Sequence, residues 1–283
     1  VTYRNVVDTD NYAASGIETF QFAGGEWHAN VPVWPVSRVH VHAKLRTADD
    51  VMCLLGVLDA FGTQRVEVHL FAPYFPGLRQ DRNPEGKTPL TSRIFGRMLA
   101  PLCATITTVD AHSAEGMHNV GQFMHGGPKN FIEIKPDVFL SDLIIPEWEP
   151  GVVFAPDKGA VQRSTEASVA LHASLALAEK DRDFATGRLK GFKVTRHPYT
   201  NGRVLIADDI CDGGGTFVGL LEEIRKFYPD NPVDLYVTHG IFSKGFDVLK
   251  GFDRIYTTDS WYRSGGTLSS IKLLPYYFGG LRP

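Results

Sequence analysis

Cysteine is scarce in this sequence. There are three in 283 residues, Cys53, Cys103 and Cys211, odd in number and far apart. That spacing excludes a disulfide framework and a CxxC metal pair, and it points to a reducing, cytoplasmic setting. Long apolar runs are missing too: none approaches the ~20 residues that cross a bilayer. The opening, VTYRNVVDTD, does not read as a secretory leader, so no membrane partner is expected. Charge of neither sign dominates, with 29 Lys and Arg against 32 Asp and Glu. A net charge of -3 gives neither a basic field for nucleic acid nor an acidic solvating tail. Repeats and low-complexity tracts are absent. What is there is a 43% hydrophobic chain, enough for one large domain or two.

The most informative stretch is Val204 to Thr216, VLIADDICDGGGT. Four apolar residues precede adjacent carboxylates, Asp208 and Asp209. Asp212, three glycines and Thr216 follow, and an apolar-periodic run begins at Phe217. The order predicts a buried parallel strand, a tight turn and a helix N-terminus. Ligands of open α/β sheets sit beyond the carboxyl ends of strands. Gly213, Gly214 and Gly215 let backbone N–H groups close around an anion, and the helix terminus favours phosphate. The aspartates would repel that phosphate. They suit vicinal hydroxyls, or a metal held through water. Together these features describe a ribose 5-phosphate site.

The rest of the chain alternates strands and helices. Phe20 to Val33 reads as a hairpin about Gly24-Gly25, and Val39 to His42 as a strand. His40 and His42 share a face there; with no third ligand nearby they read as half-buried strand histidines. Ala48 to Phe61 has helical apolar spacing. Val66 to Tyr74 is a strand, and its end carries Arg79, Gln80, Asp81 and Arg82. Arginine forks there suit a polyanion, and Gln80 a base or ribose edge. A helix is expected over Ser92 to Leu99 and a strand over Ala104 to Val109. Asp110 and His112 follow, a weak pair for a hard cation. His118 and His125 are expected in a loop. Lys135 to Pro150, with three prolines, reads as the passage between domains. Val152 to Ala155 is a strand with Asp157 and a glycine turn at its end, then a helix from Gln162. Leu175 to Ala178 is ambiguous, its alanines favouring helix. Lys180 to Gly191 reads as a polar loop or hairpin. Val218 to Phe227 is helix, and Val233 to Thr238 and Ile255 to Thr258 are strands. The predicted class is α/β with mainly parallel sheets flanked by helices.

Five strand ends, taken in order, resemble the ribose-phosphate pyrophosphokinase family, whose domains have the phosphoribosyltransferase-like fold. PYFPGLRQDR (Pro73 to Arg82) is similar to its PYxxYARQDR, and VDAHS (Val109 to Ser113) to its DLHA segment. APDKGAVQR (Ala155 to Arg163) resembles SPDxGGVxR, and LIADDICDGGGT resembles IDDIxDTxGT. Lys180 and Arg182 fall where the family's catalytic loop carries Lys-x-Arg. The resemblance runs from about Phe22 to Ser260. It implies transfer of the β,γ-diphosphoryl group of Mg–ATP to the anomeric hydroxyl of ribose 5-phosphate, with AMP leaving. Arg79, Gln80 and Asp81 would bind ATP, with Phe22 and Glu26 at the adenine. His112 would serve ATP and, with Asp157, hold Mg²⁺. Asp157, Asp208 and Asp209 would read the ribose. Asp212, Gly213, Gly214, Gly215 and Thr216 would cradle the 5-phosphate. Lys180, Arg182 and His112 form the catalytic set. The resemblance also implies two similar domains, 1–140 for ATP and 141–283 for ribose phosphate, the last residues packing on the first, and a dimeric or hexameric assembly.

This sequence departs from the family pattern in places. Gly213 stands where the family has threonine, so a hydroxyl donor is lost and the loop is expected to gain room. Gly24 replaces the aspartate of the adenine-contacting FxDGE, and Ala160 replaces one glycine of SPDxGG. A roomier loop suits an acceptor larger than ribose 5-phosphate, such as ADP-ribose. Two further alternatives are a catalytically silent regulator and a plain phosphoribosyltransferase. The full set of acids and cations argues against the former, and RQDR against the latter.

Overall fold

A computed structural model describes the chain except residues 1–5, 84, 145–150, 183–188, 262–267 and 279–283. It divides into two compact units, residues 1–134 with 274–283, and residues 135–273.

The first unit is built on a parallel five-stranded sheet in the order β1-β4-β5-β6-β7. The strands are β1 (Val6–Asp8), β4 (Arg38–His42), β5 (Glu67–Phe71), β6 (Thr105–Val109) and β7 (Phe131–Ile134). A separate hairpin of β2 (Glu18–Gln21) and β3 (Trp27–Asn30) turns where the glycine pair predicts. Helix α1 (Ala48–Thr63) starts in a capping box: Thr47 and Asp50 satisfy each other's backbone amides. Its Leu54, Val57, Leu58 and Phe61 pack with Val39, Val41, Val68 and Leu70 in one core. Helices α2 (Thr91–Leu99) and α3 (Ala114–Gly121) pack together. His118 lies in α3, not in a loop: Ser113 caps the helix by accepting from the Gly116 amide, which starts helix where glycine content suggested coil.

In the second unit, α4 (Asp137–Ile144) occupies much of the proline-bounded stretch read as an interdomain passage. It buries Phe139, Leu140 and Ile144, an apolar stripe that outweighs the flanking prolines. The sheet has seven strands in the order β10-β9-β8-β11-β12-β13-β14. They are β8 (Val152–Ala155), β9 (Ser174–Arg182), β10 (Leu189–Arg196), β11 (Val204–Cys211), β12 (Val233–Gly240), β13 (Arg254–Thr258) and β14 (Leu268–Ile271). All pairs are parallel except β9–β10. Helices α5 (Val161–Ala170) and α6 (Gly215–Ile224) complete the unit.

Residues 175–178 are strand, contrary to the alanine-based expectation of helix. Ala176 and Ala178 alternate inward into the core beside Phe192, and β9 pairs on both edges. Tertiary pairing overrides a modest intrinsic preference. The central strand β11 buries Val204, Leu205, Ile206 and Ala207 completely, as expected of a strand covered on both faces.

Candidate active site

In the second unit the carboxyl end of β11 delivers the acid pair. Asp209 is buried, and Asp208 accepts from the Asp209 amide at 2.9 Å. Arg163, one turn into α5, lies 3.7 Å from Asp208 Oδ1 and 3.9 Å from Asp209 Oδ2. Ser164 fixes α5 against the strand by donating to the Ala207 carbonyl at 3.1 Å. Burial and the Asp209 charge push the Asp208 carboxyl above its ordinary range, and Arg163 offsets only part of that. Such a pair is short of donors and suits hydroxyl groups. Sequence reasoning gave Arg163 no role; its place at the end of APDKGAVQR was the available signal.

The glycine turn follows. Gly214 sits at φ +77, a left-handed conformation that glycine adopts without strain, and α6 begins at Gly215 with no side-chain cap. The turn therefore presents helix-terminal amides at the strand end. It is zipped to the loop after β12. The Ile241 and Phe242 amides donate to Cys211 O at 2.9 and 3.0 Å, and the Ser243 amide to Asp212 O at 3.1 Å. Ser243 Oγ donates to Asp212 Oδ1 at 2.5 Å. The exposed stem of Lys244 borders the space at Gly213: a Cβ built there would lie 3.3 Å from Lys244 Cε and 3.4 Å from its Cδ.

Asp157 stands beyond the end of β8. Its Oδ1 accepts from the Gly159 and Ala160 amides at 2.9 and 3.1 Å, and its Oδ2 from Lys180 Nζ at 2.6 Å. Burial alone would raise this carboxyl, but the lysine and the two amides outweigh it and hold it below the usual range. Lys180 follows Ala176 and Ala178 at two-residue steps, so the strand period carries it to Asp157. Arg182 ends β9, and its side chain lies outside the described residues.

The remaining candidates are in the first unit. Arg79, Gln80 and His112 are exposed beyond the ends of β5 and β6. Asp81 accepts from the Ser113 hydroxyl, and its carbonyl accepts from Asn119 Nδ2 at 2.9 Å, which fixes this loop beside residues 112–113. Asp110 adopts φ 44, an uncommon backbone at the same strand end. Phe22 and Glu26 are exposed at the hairpin tip, where the Phe22 amide donates to Glu26 O at 2.9 Å. His40 and His42 form no metal pair. His40 Nδ1 meets the Tyr277 hydroxyl at 2.8 Å, and His42 is buried against Phe71. Burial, then the Lys44 charge, lowers His42 to about 3, so it is neutral. Among the described residues no group of three or more His, Cys, Asp or Glu side chains is placed to hold a metal. Among them, too, no helix is long and apolar enough to cross a membrane.

The sheet, acid pair and glycine turn of the second unit define an α/β protein of the phosphoribosyltransferase type. Residues 139–266 match the family model described as phosphoribosyl transferase domain. Ribose-phosphate pyrophosphokinase of Hyphomonas neptunium is 28% identical over 239 residues, 80% of this chain and 73% of that protein. The Thermococcus kodakarensis ribose-phosphate pyrophosphokinase is 31% identical over 201 residues, 69% of this chain and 65% of that protein. The fold matches phosphoribosylpyrophosphate synthetase from Mycobacterium smegmatis with a TM-score of 0.76 at 19% identity, covering 97% of this chain and 96% of that one. The chain belongs to the ribose-phosphate pyrophosphokinase family.

Proposed function

We propose that this chain is a diphosphotransferase. It moves the β,γ-diphosphoryl group of Mg–ATP to the anomeric hydroxyl of ribose 5-phosphate and releases AMP. The observation that carries this reading is the end of β11, where two carboxylates sharing Arg163 adjoin an uncapped helix start behind a glycine turn. Asp208 and Asp209 would accept from the ribose hydroxyls, and the turn from Asp212 to Thr216 would take the 5-phosphate. The anomeric oxygen bonds to the β-phosphorus as the bond to the AMP oxygen breaks. Such transfers need alignment and charge neutralisation more than covalent help. Lys180 and Arg182 would meet the charge on the transferring group. Arg79, Gln80, Asp81 and His112, with Phe22 and Glu26, would hold ATP.

Mg²⁺ fits this donor set in one limited sense. Asp157 already accepts from Lys180 and two amides, so it would hold a hard cation through water, as an ion that takes most of its ligands from water and phosphates allows; His112 would serve on the ATP side. When bound, the ion neutralises phosphate charge.

ADP-ribose is the weaker acceptor reading, because the relatives are ribose-phosphate pyrophosphokinases. The expected setting is cytoplasmic, the expected assembly a homo-oligomer, dimer or hexamer, and neither nucleic acid nor membrane is an expected partner. The test is AMP release from Mg–ATP with ribose 5-phosphate and ADP-ribose offered separately. AMP with ribose 5-phosphate is the expected result. AMP preferentially with ADP-ribose would replace the acceptor, and AMP with neither from folded protein would end the reading.

A further inference from the structure

Lys244 has a position that local sequence does not explain. Three amides of the loop after β12 donate to carbonyls of Cys211 and Asp212, so the backbone at 244 is fixed beside the glycine turn. The lysine's Cγ, Cδ and Cε lie alongside the place that a Cβ at 213 would take, at 3.7, 3.4 and 3.3 Å. A Cβ at 213 would press on the end of that stem by a few tenths of an ångström. Lys244 is exposed, and among the described residues no carboxylate pairs with it. Among the described side chains, Arg163 faces the acid pair, Lys180 holds Asp157 and Lys158 lies 3.4 Å from Glu179.

We propose that Lys244 is the cation that binds the acceptor's 5-phosphoryl group, standing in for the hydroxyl donor absent at Gly213. This inference rests on the ribose 5-phosphate reading above and deepens it. A glycine at 213 and a lysine at 244 are then one device: the glycine clears the path, and the ammonium reaches the loop that amides alone would line. The site reads its ligand by charge, so it discriminates sharply between a phosphorylated ribose and a bare one. An ammonium–phosphate hydrogen bond is also stronger than one from a neutral hydroxyl.

Calorimetric titration of the full chain with ribose 5-phosphate, in Mg²⁺ without ATP, tests this apart from catalysis. Lys244→Ala is expected to weaken binding roughly ten- to hundredfold, the range for a lost charge-assisted contact. Lys244→Arg should keep most of the affinity, and Lys129→Ala, a surface lysine of the first unit, all of it. Gly213→Thr should weaken binding in the parent chain. It should strengthen binding in the Lys244→Ala background, where the stem no longer blocks the hydroxyl. A parallel titration with ADP-ribose distinguishes a monoester from a substituted phosphate, and loss on Lys244→Ala with either ligand upholds the cation's role. Binding by Lys244→Ala within about twofold of the parent would overturn it. If the parent bound neither ligand, the ribose 5-phosphate reading itself would fall, and this role with it.

Discussion

Asp208 shows how function sets local cost. Its carboxyl is pushed up by burial and by Asp209, with Arg163 offsetting part. The folded state therefore holds this proton more tightly than the unfolded chain. Ionising Asp208 opposes folding, and the opposition is absent below the ordinary carboxylate range near pH ~4 and grows as pH rises through the higher folded value. Asp208→Asn keeps an oxygen for the Asp209 amide and removes the repulsion. It is expected to stabilise the protein by roughly 1–2 kcal/mol at pH 8, a common gain for relieving a functional strain. That gain should vanish toward pH 4, while transfer activity is lost. Melting temperatures of both forms across pH check this. A destabilised asparagine variant at pH 8 would mean that the Arg163 attraction outweighs the burial.

At the scale of elements, the glycine turn and the start of α6 separate two glycines that look alike in sequence. A methyl at Gly214 would sit at φ +77 and meet Leu249 Cδ2 at 2.9 Å and Val248 Cγ2 at 3.2 Å. Gly214→Ala is expected to cost about 2–3 kcal/mol from left-handed strain and overpacking. Gly215 opens the helix, and a Cβ there meets nothing within 4 Å. Gly215→Ala is expected to be neutral or to stabilise by up to about 1 kcal/mol. Thermal melts of the two variants should move in opposite directions, and equal destabilisation would sink this account of the turn. The triple glycine was legible as a turn. Which of its members has φ > 0 was not, nor was the packing of Leu249, from a 3-10 turn more than 30 residues on, against Gly214. The same holds for β9: Ala176 and Ala178 become strand only because β8 and β10 flank them.

Across the whole molecule, each unit has its own core, and residues 274–278 belong to the first. Tyr277, in helix α7 (Leu274–Tyr277), stacks on Phe71 with centroids 4.6 Å apart and bonds His40. Tyr277→Ala is expected to destabilise the first unit by about 2 kcal/mol, less than for a fully buried aromatic. Hydrogen exchange should accelerate in β4 and β5 while β11 and β12 keep their protection. Equal acceleration in both sheets would refute the assignment of this helix to one unit.

The sequence by itself determined the periodicities and the local chemistry. Four apolar residues before Asp208 made a buried strand, glycines made turns, and apolar spacing from Ala48 made helix α1, since these depend on neighbours within a few residues. Only the tertiary structure decided which side chains meet. Ser243 reaches Asp212 across 31 residues, and Lys180 reaches Asp157 across 23. Arg163 faces the acid pair because α5 docks on β11, and Lys244 lies along Gly213 because two strand-end loops are zipped together. Strand order and register fix such encounters, and neither is written in any local window.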